Sequence, residues 1–121
     1  MTTLSRVLVV EDEIITLLAL VDDLADRQLE AVPVTTAKGA ASLLASVDAL
    51  ITDIELPGAY DGLHLARLAA KQHPGLPIVV VSGGVTPTAS QLPDGAVFIP
   101  KPYNVDDVLA ALDRQRVAHA A

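Results

Sequence analysis

Five short aliphatic runs, each ending on a polar or turn-forming residue, constrain this chain more than any other feature. They are Val7 to Val10, Ala31 to Thr35, Ala49 to Thr52, Ile78 to Val81 and Ala96 to Ile99. An unbroken apolar run of this length is what a strand covered on both faces requires. Pro33 interrupts the second run and predicts a place at or near a sheet edge, because proline cannot donate to a ladder. Segments of helical period lie between the runs. Asp12 is placed to cap a helix with an apolar stripe of Ile14, Leu17, Leu18, Val21 and Leu24. Ala37 to Ser46 reads as a short Ala/Leu helix, and Leu63 to Ala69 begins another that Pro74-Gly75 stops. Val105 to Arg116 supports a final amphipathic helix, with Val117 to Ala121 expected to fray. Alternating strands and helices predict parallel βαβ units with right-handed crossovers.

The 121 residues suit one domain, spanning 1–121, and a hydrophobic fraction of 51% is ample for its core. A net charge of -7 repels phosphate backbones and argues against nucleic-acid binding. No apolar run reaches the roughly 20 residues that span a bilayer, so no membrane association is expected. The lead-in from Met1 has no signal-peptide core of its own, so a cytoplasmic protein is expected. The absence of cysteine excludes disulfides, thiolate metal sites and cysteine nucleophiles.

Open α/β sheets collect ligands outside the carboxyl ends of their strands. The first run delivers Glu11, Asp12 and Glu13 to that rim, the third Asp53, the fourth Ser82 and the fifth Lys101-Pro102. Two carboxylates 4 Å apart repel by about 4 kcal/mol at an effective dielectric of 20. Either Lys101 or a divalent cation offsets such repulsion. Oxygen ligands without Cys or His favour a hard ion such as Mg²⁺. The three acids of the first rim segment also suit a helix start, where they would only cap and complement the dipole. His64, His73 and His119 have no metal spacing, and neither a nucleophile-elbow nor a Gly-rich phosphate loop occurs.

This constellation resembles the receiver domain of two-component response regulators. The resemblance is carried by Glu11-Asp12-Glu13 after the first strand, Thr52 to Gly58 around Asp53, Asp61-Gly62, Val80-Val81-Ser82-Gly83 and Ile99-Pro100-Lys101-Pro102. It covers essentially the whole chain, and its five motifs fall in order at strand ends. It implies a flavodoxin-like, doubly wound five-stranded parallel sheet of order 2-1-3-4-5 with helices on both faces. It implies that Asp53 is the phosphoacceptor in a Mg²⁺-dependent reaction. Asp12 and Asp53 would bind the ion, Glu11 directly or through water, and the Glu55 backbone carbonyl would complete the set. Ser82 would hydrogen-bond a phosphoryl oxygen, Lys101 would pair with it, and Lys101-Pro102 would be a cis bond. Ser82 and Phe98 would form the switch.

The chain departs from the common pattern at three places. Phe98 lacks the hydroxyl of a tyrosine switch, so its response would rest on packing. The loop from Asp53 to Gly62 is about one residue longer than in the commonest receivers, and the stretch from Ser82 to Lys101 is shorter than usual and rich in Gly and Pro. The helix expected between the fourth and fifth strands is therefore short or irregular, with Thr86 as its cap, Pro87 in its first turn and Pro93 as its stop. Such features resemble an alphaproteobacterial subgroup with a degenerate fourth helix.

The resulting expectation is a stand-alone receiver, a signalling module rather than an enzyme. Its partners would be a sensor histidine kinase or histidine phosphotransfer protein and a downstream protein target. It would act through binding or as a phosphate sink. Two rivals are a docking-only receiver and a small flavodoxin-like nucleotide- or cofactor-binding enzyme. The acidic rim speaks against the latter, since phosphate cofactors prefer Gly-rich loops and helix starts without competing carboxylates.

Overall fold

The computed structural model describes residues 4–120; the lead-in residues 1–3 and Ala121 lie outside them. The strands are β1 (Arg6–Val10), β2 (Glu30–Val34), β3 (Ala49–Asp53), β4 (Ile78–Ser82) and β5 (Val97–Pro100). The α-helices are α1 (Ile14–Asp26), α2 (Ala37–Ala41), α3 (Gly62–Gln72) and α4 (Val105–Ala120). All strands run parallel in one sheet of order β2-β1-β3-β4-β5. Pro33 does sit on an edge strand, opposite Val9. No helix among the described residues is long and apolar enough to cross a membrane.

The pleat sorts the aliphatic runs onto two faces. Val7, Val9, Ala49, Ile51, Val79 and Val81 pack against α1 and α4 through Leu17, Leu20, Leu24, Val108 and Leu112. Leu8, Val10, Leu50, Ile78 and Val80 pack against α2 and α3 through Ala37, Ala40, Leu63, Leu65, Ala66 and Ala69. Small alanines let the short α2 lie close to the sheet. Leu50 is fully buried in the central β3, and truncating such a residue to alanine costs about 2–5 kcal/mol.

Several local expectations need correction. The buried stripe of α1 is Leu17, Leu20 and Leu24, while Ile14 and Leu18 are each 55% exposed. Its cap is Glu13 rather than Asp12: the Glu13 carboxylate accepts from the Ile15 amide at 3.3 Å and from the Thr16 hydroxyl. The Ala37–Ser46 segment is not one helix. The α-helix stops at Ala41, and a separate 3-10 turn covers Leu44–Ser46. α4 continues to Ala120 instead of fraying after Arg116. β2 and β5 begin at Glu30 and Val97, one residue away from the sequence reading in each case.

Only a single 3-10 turn, Ala89–Gln91, stands between β4 and β5, so the helix there is indeed short. Its cap is Thr88, not Thr86. The Thr88 amide donates to Gln91 Oε1 at 2.8 Å, and the Gln91 amide returns to the Thr88 carbonyl at 3.0 Å. This reciprocal pairing satisfies the donors of one turn and leaves Pro87 outside it.

Candidate functional site

Strand register brings the site together. Val10 pairs with Thr52, Thr52 with Val80 and Val80 with Phe98, so the four strands end in near alignment. The residues one to three positions further on are Glu11, Asp53, Ser82 and Lys101, which meet at the carboxyl edge of the sheet. Backbone bonds fix each exit: Glu11 N–H to Val34 O at 3.1 Å, Ile54 N–H to Val81 O at 3.0 Å and Lys101 N–H to Ser82 O at 3.0 Å. Lys101-Pro102 is cis, as the sequence reading expected.

Glu11, Asp12 and Asp53 each offer a carboxylate oxygen, and these oxygens lie within 4.8 Å of one another. Asp12 is exposed, whereas Glu11 and Asp53 are buried. Lys101 bridges the buried pair, with Nζ 2.6 Å from Glu11 Oε1 and 3.1 Å from Asp53 Oδ2. Burial works against the Lys101 charge, but the two carboxylates win and hold its pKa above the ordinary lysine value. Glu11 is pushed up as well. Burial is the larger cause, the neighbouring Asp53 carboxylate adds to it, and Lys101 only partly counters both.

One oxygen of this cluster has no partner. Glu11 Oε2 is buried without a hydrogen bond, a costly state for a carboxylate. A hard cation seated among three carboxylates would satisfy it, and a donor set made only of oxygen suits Mg²⁺. The residues present therefore fit the ion the sequence pointed to.

Ser82 is buried at the same edge. Its Oγ accepts from the Gly84 amide at 3.2 Å and the Val85 amide at 3.0 Å, and it donates to Glu55 Oε1 at 3.5 Å. Sequence reasoning gave Glu55 a backbone role only and missed this side-chain contact. No local sequence pattern signals it, because the contact joins two separate strand ends. Beside the rim, a depression of about 570 Å³ is lined by Asp12, Glu55, Asp61, Val85 and Gln91, among others. Phe98 is half-buried and packed on the α2/α3 face of the sheet.

A doubly wound parallel sheet of order 2-1-3-4-5 with three carboxylates, a lysine and a hydroxyl at its carboxyl edge is the arrangement expected of a receiver domain. The family model of the response regulator receiver domain matches residues 7–113, and the chain belongs to that family, the receiver modules of two-component signalling. Among solved structures, a response regulator receiver protein from Sinorhizobium medicae WSM419 is 28% identical with a TM-score of 0.80, covering 95% of this chain and 96% of that one. NtrX from Brucella abortus is 29% identical with a TM-score of 0.82, over 98% of this chain but 29% of that one. The DNA-binding transcriptional regulator NtrC of Proteus hauseri is 31% identical over 70 residues, which is 55% of this chain. The match covers only 15% of the length of that curated relative.

Proposed function

We propose that this domain accepts a phosphoryl group on Asp53 from a phosphohistidine donor, on a sensor kinase or phosphotransfer protein. The bridging of Glu11 and Asp53 by Lys101 carries this reading. A cation beside a carboxylate at a strand end suits a site that is to accumulate negative charge. In the transfer, an Asp53 carboxylate oxygen attacks phosphorus and forms an acyl phosphate. The bond from phosphorus to the donor nitrogen breaks, and the imidazole leaves with that electron pair. Phosphoryl transfer needs positioning and charge neutralisation more than covalent machinery. Lys101 would follow the negative charge from the Asp53 carboxylate to the phosphoryl oxygens.

Glu11, Asp12 and Asp53, with the Glu55 backbone carbonyl, would hold Mg²⁺. When bound, the ion neutralises phosphoryl charge and orients the transferring group. Ser82 would hydrogen-bond a phosphoryl oxygen, and the half-buried Phe98 would respond by repacking. The phosphorylated domain would then signal through a protein partner or drain phosphate from a relay.

The test is incubation with acetyl phosphate and Mg²⁺ followed by intact mass measurement. A gain of one phosphoryl group, absent in Asp53→Asn, is expected. No gain from acetyl phosphate or from any kinase would leave a docking role in its place.

A further inference from the structure

A hydroxyl has one proton to give and two lone pairs to receive with. At Ser82 all three positions find partners: the Gly84 and Val85 amides donate to Oγ, and Glu55 Oε1, at 3.5 Å, is the acceptor within reach of its proton. Ser82 therefore has no donor left for a phosphoryl oxygen while Glu55 stays in place. The approach of Glu55 depends on the residue at 84. A Cβ built on Gly84 would stand 2.6 Å from Glu55 Oε1, so the carboxylate occupies space that any other residue would fill. Gly84 has no left-handed φ, and its lack of a side chain matters here for room rather than for backbone freedom. The displaced carboxylate would have somewhere to go, because Glu55 also lines the depression of about 570 Å³ beside the rim.

We infer that the Glu55 side chain is a built-in competitor for the Ser82 proton. It holds the Ser82–Val85 turn in its unphosphorylated arrangement and must be released before Ser82 can engage a phosphoryl group. Glu55 is thus a regulatory residue of the site, acting through Ser82, and Gly84 is the gap that admits it. This inference rests on the proposed role of Ser82 toward the phosphoryl group.

Three variants separate the competition from simpler effects. Glu55→Ala removes both the acceptor and a negative charge. Gly84→Ala evicts the carboxylate but keeps the charge on the chain. The double variant closes a mutant cycle. The first readout uses protein free of metal and phosphodonor: the Val85 amide proton shift in NMR reports the polarisation of Ser82 Oγ. It is expected to move in the same direction in both single variants. The second readout is the affinity for beryllofluoride, a tetrahedral phosphoryl mimic, at saturating Mg²⁺. Both single variants should bind it about threefold tighter, the low end of one net hydrogen bond, and the double variant no tighter than Glu55→Ala. Tighter binding in Glu55→Ala alone would assign the effect to charge and overturn the inference. A Gly84→Ala gain that persists without Glu55 would assign it to backbone stiffness and overturn it too. An unmoved Val85 amide would do the same. The phosphoacceptor reading is tested separately, because wild-type mass gain and its loss in Asp53→Asn do not depend on Glu55.

Discussion

Gly62 at the start of α3 lies directly against the backbone carbonyl of Asp53, and a Cβ there would collide with it. The Gly62 amide also donates to the Ile54 carbonyl at 2.8 Å, so helix and strand end are clamped together. Asp61 begins the same helix, its carboxylate accepting from the His64 amide at 2.9 Å. The Asp61-Gly62 pair thus holds Asp53 from behind. Gly62→Ala must push backbone against backbone, where side-chain rotation gives no relief. It should cost about 3 kcal/mol, the upper part of the overpacking range, and slow phosphoryl accumulation on Asp53. A urea unfolding midpoint with the slope held constant checks the first, and intact mass with acetyl phosphate checks the second.

Lys101 and Asp12 should respond in opposite ways to the same titration. Without a divalent ion, Lys101 is the cation between two buried carboxylates, and its side chain is only 25% exposed. Lys101→Met should destabilise the metal-free protein by about 1–3 kcal/mol, less than a fully buried pair because water reaches the ammonium. Mg²⁺ should restore most of that loss and bind at least as tightly as to wild type, since a competing charge has gone. Asp12 is exposed and caps nothing. Asp12→Ala should therefore leave metal-free stability within about 0.5 kcal/mol yet abolish Mg²⁺ binding. Thermal melts in chelator and in Mg²⁺ read both variants. Weaker Mg²⁺ binding in Lys101→Met would contradict the arrangement.

Most of this architecture was legible because the aliphatic runs and the strands nearly coincide. When Val10, Thr52, Val81 and Ile99 each end a run, the next residues must share one edge, and the acidic, hydroxyl and lysine positions follow. α1 was harder. Ile14, Ile15, Leu17, Leu18, Leu20 and Val21 make its first two turns apolar nearly all round, so periodicity alone admits more than one buried stripe. Glu13 and Asp12 are both plausible caps by type, and only backbone geometry selects Glu13. The Glu55–Ser82 contact joins residues 27 apart in sequence across two strand ends, which no local pattern reports.

Acid sensitivity should centre on Asp48, away from the functional edge. Its Oδ2 accepts from the Ser5 amide at 3.1 Å, the Ser5 hydroxyl at 2.8 Å and the Arg6 amide at 2.8 Å, tying the start of β1 to the start of β3. Asp48 is exposed, yet desolvation still works against its charge; these donors prevail and hold the carboxyl below its ordinary value of 3.8. A depressed carboxylate contributes stability that is complete above its unfolded value and is lost as pH falls through the lower folded one. Stability carried by Asp48 should thus be intact at pH 5 and fade below about pH 4. Asp48→Asn should cost about 1 kcal/mol at neutral pH and flatten the acid limb of the stability curve. Urea melts between pH 3 and 7 provide the comparison, and parallel acid limbs would remove Asp48 from the account.

The connection between β4 and β5 is held at two ends by unrelated contacts, and they should be separable. At the near end, Ser82 Oγ gathers the Gly84 and Val85 amides. At the far end, Arg67 on α3 donates from Nη1 to the Gln91 carbonyl at 2.9 Å, and Leu92 packs against the α2/α3 core. The far anchor thus belongs to the helix whose start clamps Asp53, while the near anchor belongs to the site itself. Removing Arg67 deprives the single 3-10 turn of its tie to the body, and a turn that short has little stability of its own. Arg67→Ala should raise amide hydrogen exchange at Gln91 about threefold to tenfold, the equivalent of one net hydrogen bond. Val85 should keep its wild-type exchange, because its acceptor is untouched. Acceleration at Val85 equal to that at Gln91 would mean that the segment opens as one unit, and the two anchors would then not act independently.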